Sequence, residues 1–227
     1  MADRAAVLYD IHGNLPALEA VLAEVRAEGI DLLVCGGDSA LFGAHPAECV
    51  DHLRSFGDRL VAVRGNCDRY LIDPPAAPED ELDVVGWTRA ALGAERTHWL
   101  GSLPPAAKVG HALVVHAGPH GDEDLIGPDT PDSELAELVS GVEQPLMLCG
   151  HIHVQYRRRF EQLELVNPGS VGLPFDGDPR SAWAVLEDGQ VSFRRTAYDV
   201  DSVIGELGRI GHPTADMISD RLRRSAH

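Results

Sequence analysis

The stretch AAVLYDIHGNLPALEAVLAEVRAEG, residues 5–29, describes one β-α unit from which the rest of the chain can be interpreted. The apolar run at residues 5–9 predicts a strand buried on both faces, and the polar cluster Asp10-Ile11-His12 follows it directly. Asn14 is a suitable helix N-cap and Gly29 is a typical C-terminal stop. One face of the helix between them carries Leu15, Leu18, Leu22 and Val25. The sequence therefore predicts a strand, a polar loop and an amphipathic helix.

The same arrangement, an apolar run followed by polar residues, recurs four more times. The further apolar runs are Leu32 to Cys35, Leu60 to Val63, Leu113 to Val115 and Leu146 to Cys149. The polar clusters after them are Gly37-Asp38, Gly65-Asn66-Cys67-Asp68, His116 and Gly150-His151-Ile152-His153. Because ligands of open α/β sheets bind at the carboxyl ends of the strands, we expect these clusters to meet at one edge. Pro46 opens a second helix, which completes a βαβαβ unit.

Length and composition predict one ordinary globular domain. The chain has 227 residues, 44% of them hydrophobic, without an internal repeat or a low-complexity linker. We expect one domain over residues 1–227, with C-terminal helices at about 199–224 packing on it. The N-terminus has neither a signal-peptide core nor a membrane span, so a cytoplasmic location is expected. In that compartment, reduced thiols are favoured over disulfides for the four cysteines.

The formal net charge of −17 argues against a protein that holds long nucleic acid on a basic surface. Two basic runs stand out, Arg157 to Arg159 and the group Arg221, Arg223 and Arg224, and both are interpreted as solvated faces of a strand and a C-terminal helix. An anionic small substrate is compatible with this charge, because two divalent ions add four positive charges at one point.

The residue types in the five clusters match a site for two metal ions. Carboxylates, imidazoles and one amide oxygen form a mixed set that suits Mn, Fe, Co, Ni or Zn, with Mg an alternative and Ca disfavoured. A carboxylate such as Asp38 can bridge two ions, and two ions that share a water make it a nucleophile near neutral pH. This chemistry suits in-line attack on phosphorus. A single Asp-x-His pair or a lone buried histidine is more often structural, but five such clusters at strand ends favour a metal site.

The clusters resemble the motifs of the calcineurin-like metallophosphoesterases, which read D-x-H, G-D, G-N-H-D/E, H and G-H-x-H and here extend from Asp10 to His153. The segments DIHGNLPALEAVL (10–22), NPGSVG (167–172) and DGDPRSAW (176–183) are similar to the small bacterial phosphodiesterase-like branch. The resemblance implies an α/β fold, a four-layer sandwich of two mixed β-sheets flanked by helices. The C-terminal half agrees, with strands predicted at 163–166, 183–186 and 191–196 and a hairpin turn at Asp188-Gly189.

The resemblance also implies a ligand set for two divalent transition-metal ions, with manganese favoured. One ion is expected on Asp10, His12, Asp38 and His153. The other is expected on Asp38, Asn66, His116 and His151. Asp38 is then the bridging ligand, and the nucleophile is a hydroxide held between the ions. The expected activity is hydrolysis of a phosphodiester or another small phosphorylated substrate.

Cys67 stands where the family motif usually has a histidine that binds phosphate or protonates the leaving oxygen, with Asp68 as the acid after it. A thiol is a weak hydrogen-bond donor and a poor substitute in either role. The branch that this chain resembles does include a G-N-C-D variant. We therefore expect a bias toward phosphodiesters or good leaving groups; the alternative is that Cys67 simply packs at the strand end.

Four further residues are weaker candidates for substrate contacts, and each has a structural alternative. Asn14 is a helix cap, His45 and His120 lie in loops typical of surface histidines, and Arg180 lies in a polar loop where a salt bridge is the simpler expectation. A second class of function also stays open, because the fold resembled includes the small retromer subunit, a protein-binding scaffold. Homo-oligomerisation is left open by the sequence.

Overall fold

The computed structural model describes residues 4–227, in which two five-stranded β-sheets pack face to face. The first sheet has the order β10-β9-β1-β2-β3 and the second β4-β5-β6-β8-β7. The strands are β1 Arg4–Leu8, β2 Leu32–Cys35, β3 Leu60–Ala62, β4 Ala106–Val109, β5 Ala112–Val115, β6 Leu146–Leu148, β7 Gln155–Phe160, β8 Leu163–Pro168, β9 Ser181–Glu187 and β10 Gln190–Thr196.

Seven α-helices flank these sheets within residues 4–227. They are α1 Leu15–Ala27, α2 Pro46–Arg54, α3 Asn66–Ile72, α4 Leu82–Ser102, α5 Asp132–Leu138, α6 Val200–Arg209 and α7 Ala215–Arg224. Short 3-10 helices occur at Gly57–Arg59, Pro74–Ala76 and Glu79–Glu81. None of the helices in this part of the chain is both long enough and apolar enough to cross a bilayer.

Both sheets are mixed, as predicted. In the first, β1, β2 and β3 run parallel, while β9 is antiparallel to both β1 and β10. In the second, β5, β6 and β8 run parallel, and β4 and β7 are antiparallel edge strands. The Asp188-Gly189 turn joins β9 to β10, with both residues at positive φ, as a two-residue hairpin of this kind requires. The carboxyl ends of β1, β2 and β3 therefore lie along one edge of the first sheet, and those of β5, β6 and β8 lie along one edge of the second.

Alternate side chains of β1 point into two different apolar cores. Ala6 and Leu8 face α1 and pack with its apolar stripe, whereas Ala5 and Val7 face the second sheet. A further apolar cluster lies behind the second sheet, where α5 contributes Leu135. The resulting order is helices, sheet, sheet and helix, which confirms the four-layer sandwich.

Tyr9 follows β1 and joins the two sheets. Its phenol oxygen lies 3.0 Å from the carbonyl oxygen of Val115 and 2.9 Å from that of Leu148, both on the second sheet. The ring occupies the space beside two glycines: a Cβ at Gly36 would come within 1.9 Å of Tyr9 Cε1, and one at Gly150 within 2.3 Å of Tyr9 Cδ1. Both glycines are therefore required by close packing.

The helix predictions are correct in place and inexact in length. Asn14 caps α1, since its Oδ1 accepts a hydrogen bond from the backbone nitrogen of Ala17 at 3.3 Å, and α2 begins at Pro46. Helix α4 covers residues 82–102, with a kink at Gly93 where φ is 71°. The region expected to be helical at about 199–224 contains two helices, which are separate because Gly211 has positive φ and Pro213 follows it. These two helices, α6 and α7, pack through Val203, Leu207, Ile218 and Leu222 against the apolar residues after β2.

Candidate metal centre

The loops after β1 and β2 are joined by backbone hydrogen bonds before any side chain is considered. The backbone nitrogen of Asp10 donates to the carbonyl of Gly37 at 3.2 Å, and that of His12 donates to the carbonyl of Asp38 at 2.9 Å. On the second sheet, the nitrogen of Gly150 donates to the carbonyl of His116 at 2.5 Å. Each predicted polar cluster is thus held at the edge where the parallel strands end.

Five of the predicted ligand residues have left-handed backbone conformations. Positive φ is found at Asp10 (54°), His12 (50°), Asp38 (55°), His151 (70°) and His153 (57°). Non-glycine residues in this region cost about 1–3 kcal/mol each and persist where the surrounding structure imposes them. The strain turns these side chains toward one another, which is typical of a functional site.

The structure brings all seven predicted ligand residues together. Ligand atoms of Asp10, His12 and His153 lie within 4.8 Å of one another, and so do those of Asp38, His116 and His151. Asp38 lies between the two groups, with its Oδ2 3.9 Å from His12 Nε2 and 3.5 Å from His116 Nε2. Asn66 completes the set, because its Oδ1 lies 3.0 Å from His116 Nε2.

Three of the histidine rings are held from behind by backbone carbonyls. The Nδ1 atoms of His12, His116 and His153 lie 3.0, 2.9 and 2.6 Å from the carbonyl oxygens of Leu41, Gly36 and Leu173. A carbonyl only accepts hydrogen bonds, so each Nδ1 carries the hydrogen and each Nε2 of a neutral ring presents a lone pair to the site. Metal-binding histidines show this arrangement.

The resulting lone pairs face other lone pairs, which is the strongest sign that a cation fits here. His12 Nε2 lies 3.0 Å from His153 Nε2, and burial lowers the pKa of both rings, so neither nitrogen carries a proton to share. The buried Oδ1 of Asp10 has no hydrogen-bond partner among residues 4–227. Unpartnered acceptors in a buried site are costly unless a cation satisfies them, so the residues present fit divalent ions.

Burial and the closeness of the charged groups shift the pKa values of the cluster. Burial raises the pKa of Asp10 to about 8, although His116 opposes the rise. Burial has the same tendency at Asp38, but nearby His116 and His12 outweigh it and lower the pKa of that carboxyl to about 2. Burial lowers the pKa of His12 to about 4. Burial also lowers the pKa of His151 and His153, so these three imidazoles are neutral near pH 7, the protonation state that metal binding requires.

Cys67 and Asp68 differ in role from what the motif alone suggests. Cys67 is buried, with its thiol within 4.8 Å of ligand atoms of His12 and Asp38, and burial followed by the Asp38 charge raises its pKa well above the ordinary value. It is therefore a neutral thiol inside the site. The carboxylate of Asp68 accepts three backbone N–H groups, from Asp38 at 2.9 Å and from Ser39 and Gly65 at 3.1 Å. Asp68 thus fixes the loop that carries Asp38.

The four weaker candidates have other structural partners. Asn14 donates from Nδ2 to the carbonyl of Gly172 at 2.8 Å while its Oδ1 caps α1. His120 bonds to Ser140, and Arg180 forms a bidentate ion pair with Asp178. His45 is the N-cap residue before α2, makes no capping bond through its side chain, and lines a side cavity of about 300 Å³. A substrate role for these four residues stays a prediction.

Residues that no motif indicated also surround the cluster. The ring of Phe175 stacks on His153 at 4.5 Å, that of Phe42 lies 5.6 Å from His12, and the guanidinium of Arg221 lies 5.7 Å from the Phe175 ring centre. These residues come from loops and from α7, without a motif or a strand-end position to indicate them. The available signal in the sequence was an apolar residue within a polar loop, as at Phe175.

A second cavity, of about 840 Å³, opens between the sheets at the amino ends of β1, β2 and β6, and is lined by apolar side chains with a charged rim that includes Lys108 and Arg159. None of the seven ligand residues lines it. Size alone does not indicate chemistry, whereas the strained, convergent histidines and carboxylates do. The candidate metal centre therefore carries the stronger chemical signal of the two.

A sequence model of the calcineurin-like phosphoesterase superfamily domain matches residues 4–189. The chain belongs to the calcineurin-like phosphoesterase superfamily. This membership confirms the family resemblance and the assignment of the chain to the phosphoesterase class of hydrolases. The matched segment includes all seven ligand residues and ends before α6 and α7.

Similar proteins agree with this calcineurin-like assignment. The uncharacterized protein MJ0912 of Methanocaldococcus jannaschii is 29% identical over 221 residues, which cover 86% of this chain and 88% of the relative. The phosphodiesterase YfcE of Escherichia coli K12 is 27% identical over 211 residues, covering 87% and 94%. The crystal structure of a metallophosphoesterase from Sphaerobacter thermophilus superposes with a TM-score of 0.86 at 28% identity, covering 99% of this chain and all of that one.

Proposed function

We propose that this chain is a dinuclear metal-dependent phosphodiesterase acting on a small phosphorylated substrate. Asp10, His12, Asp38 and His153 would hold one divalent ion. Asp38, Asn66, His116 and His151 would hold the other. The observation that carries the proposal is the pair of Nε2 atoms of His12 and His153, which face each other at 3.0 Å while both Nδ1 atoms are tied to carbonyls.

The chemistry of such a pair of ions is to polarise phosphoryl oxygens and to make a bound water nucleophilic near neutral pH. The protein's contribution is placement. Asp68 fixes the backbone of Asp38, and the carbonyls behind the rings fix His12, His116 and His153. Burial keeps the imidazoles of His12 and His153 neutral. This preorganisation lets the site respond to charge that develops on phosphorus without rearranging.

The thiol of Cys67 supports the diester preference. A buried, neutral thiol is a weak donor and cannot protonate a leaving oxygen as an imidazolium does. Substrates whose leaving groups depart unprotonated should therefore react faster than alkyl monoesters. The name of the relative YfcE, a phosphodiesterase, is in line with this preference.

We further propose manganese as the physiological metal, since the mixed carboxylate, imidazole and amide set suits it, with Fe, Ni, Co, Zn and Mg as alternatives. The four cysteines are free and buried, which supports a reducing, cytoplasmic location. The net charge of −17 supports a small substrate over long nucleic acid.

Turnover by the purified protein tests this proposal. Protein loaded with Mn, Ni, Mg or Zn is assayed with bis(p-nitrophenyl) phosphate, p-nitrophenyl phosphate and an alkyl monoester. We expect hydrolysis of the activated diester, its loss in Asp38→Ala and His116→Ala, and its retention in His111→Ala, which changes an exposed histidine.

The replaced histidine at Cys67 is the one observation that favours a different function, a protein-binding scaffold with weak or no catalysis. The absence of turnover with every metal, in protein that binds the metals, would support the scaffold over the enzyme. Equal rates on alkyl monoesters and activated diesters would leave the enzyme standing and remove the diester preference.

A further inference from the structure

The C-terminal pair of helices covers one side of the metal centre. Ile218 and Leu222 of α7 line the same small cavity as His12 and Phe42. Helices α6 and α7 lie beyond the segment that the family model matches, so nothing they contribute follows from the superfamily motifs. They are therefore the part of the chain where a property outside the superfamily motifs is expected.

The tail and its neighbouring loop are held in place by several bonds. The backbone nitrogen of Gly177 donates to the carbonyl of Ser225 at 2.9 Å, and that of Phe175 donates to the carbonyl of His153 at 3.0 Å. Asp176 is fixed between these two by an ion pair with Arg195 and a hydrogen bond from the nitrogen of Gln155 at 3.1 Å. These bonds hold the tail that follows α7 in a fixed position beside the site.

Arg221 is the cation that α7 brings to this side. Its guanidinium carbon lies 5.7 Å from the centre of the Phe175 ring, and that ring stacks on the ligand residue His153. Within residues 4–227, Arg221 makes no ion pair closer than 4.0 Å, and its guanidinium donates a hydrogen bond to the ring of His227 at 3.2 Å. By contrast, the guanidinium of Arg69 is bound by Asp122 and Glu123.

A half-buried guanidinium that forms no ion pair among the described residues, close to a metal centre, is suited to a bound anion. Burial lowers the pKa of Arg221, while the carboxylate of Glu81 partly offsets the effect. Arginine binds phosphate oxygens through two parallel hydrogen bonds, and desolvation strengthens them. Because Arg221 contacts Phe175 rather than the ligand residues, a phosphoryl group held at the metal centre would leave Arg221 free for the anionic group next to it.

We propose that Arg221 binds a second anionic group of the substrate, so that the preferred substrates are small molecules with two adjacent phosphates, such as diphosphate esters. This inference rests on the proposed function, since it assumes that the first phosphoryl group is held by the metal-binding residues. Arg221 would then be a substrate-binding residue outside the family motifs.

Binding of non-hydrolysable probes tests the proposal without turnover. Mn-loaded wild-type protein, Arg221→Gln and the matched control Arg223→Gln, which changes an exposed arginine two residues along α7, are titrated with methylenediphosphonate and with methylphosphonate by calorimetry. The probes also chelate Mn in solution, but this background is the same for all three proteins and does not affect their comparison. We expect Arg221→Gln to weaken methylenediphosphonate binding about 10- to 100-fold, the loss of one charged hydrogen-bonding group, and methylphosphonate binding by less than about threefold.

Equal losses for both probes, or no loss for either, would overturn the assignment of Arg221 to a second anion. Thermal unfolding of each variant guards against a folding defect, and Arg221→Lys supplies a second variant that keeps the charge and loses the bidentate geometry, with an intermediate loss expected. If wild-type protein hydrolyses nothing, the proposed function fails, whereas the probe-binding difference still decides the role of Arg221.

Discussion

The substitution Asp68→Asn tests a residue that supports the metal centre without being one of its predicted ligands. The carboxylate of Asp68 is fully buried and accepts hydrogen bonds from three backbone nitrogens: Oδ2 accepts from Asp38 and Gly65, and Oδ1 accepts from Ser39. An asparagine has the same shape but only one accepting oxygen. At best, that oxygen keeps the two bonds of Oδ2, and its NH₂ group then faces the N–H of Ser39.

The expected cost follows from that one lost bond. A hydrogen bond to a charged group contributes about 1.5–3 kcal/mol, and a chain of this size loses roughly 3–12 °C of Tm for such a change. Because the backbone of Asp38 is no longer fixed, affinity for Mn should also fall about 10- to 100-fold, as for other groups that orient a ligand residue. Burial raises the pKa of Asp68 to about 6, so both effects should be measured at pH 8, where the carboxylate is ionised.

Thermal unfolding of metal-free protein and titration with Mn provide the two readouts. Asp58→Asn is the matched control, because Asp58 is exposed and lies outside the site. Unfolding and Mn affinity indistinguishable from wild type in Asp68→Asn would refute the role of Asp68 in fixing the loop. A loss of Mn affinity without any loss of stability would place its effect on the ligands directly.

Three further predictions concern the same site and its frame. Asp10 and His116 have pKa values raised above those of the unfolded chain, so the metal-free native state keeps protons that the unfolded state releases. The free energy of unfolding should therefore fall between about pH 6.5 and 8, by up to about 1.4 kcal/mol per pH unit per proton. Urea unfolding across this range checks the prediction, and a rise instead of a fall would contradict it. Cys67→His should speed hydrolysis of alkyl monoesters about tenfold or more relative to activated diesters, with Cys67→Ser as the size control, and unchanged relative rates would remove the thiol as the cause of the preference. Gly36→Ala should destabilise the fold by about 1–3 kcal/mol because its Cβ meets the Tyr9 ring, whereas Gly86→Ala, in open space on α4, should not; denaturant midpoints of the two variants decide this.

The elements that position the ligands were predictable because their pattern is strictly local. A buried parallel strand is a short apolar run, and the residue after it must lie at the carboxyl edge, so Asp10, Asp38 and His116 could be placed before their contacts were known. The hairpin at Asp188-Gly189 was equally local, since two residues at positive φ decide the turn.

Tertiary packing decided what the sequence did not reveal. The length of α4 depends on contacts with α2 and α3, and its kink depends on Gly93, which a periodicity argument treats as a stop. The three bonds of Asp68 come from residues 3 to 30 positions away, so the motif alone did not reveal that Asp68 fixes the loop of Asp38. Arg221 and Phe175 reach the site through the docking of α7 and a backbone bond to His153, which no spacing in the chain encodes.

Anomalous diffraction at the manganese edge from crystals of Mn-loaded protein tests the central claim most directly. The account predicts two peaks, one contacted by Asp10, His12 and His153 and the other by Asn66, His116 and His151, with Asp38 touching both. A single peak, or two peaks that Asp38 does not bridge, would contradict the dinuclear site.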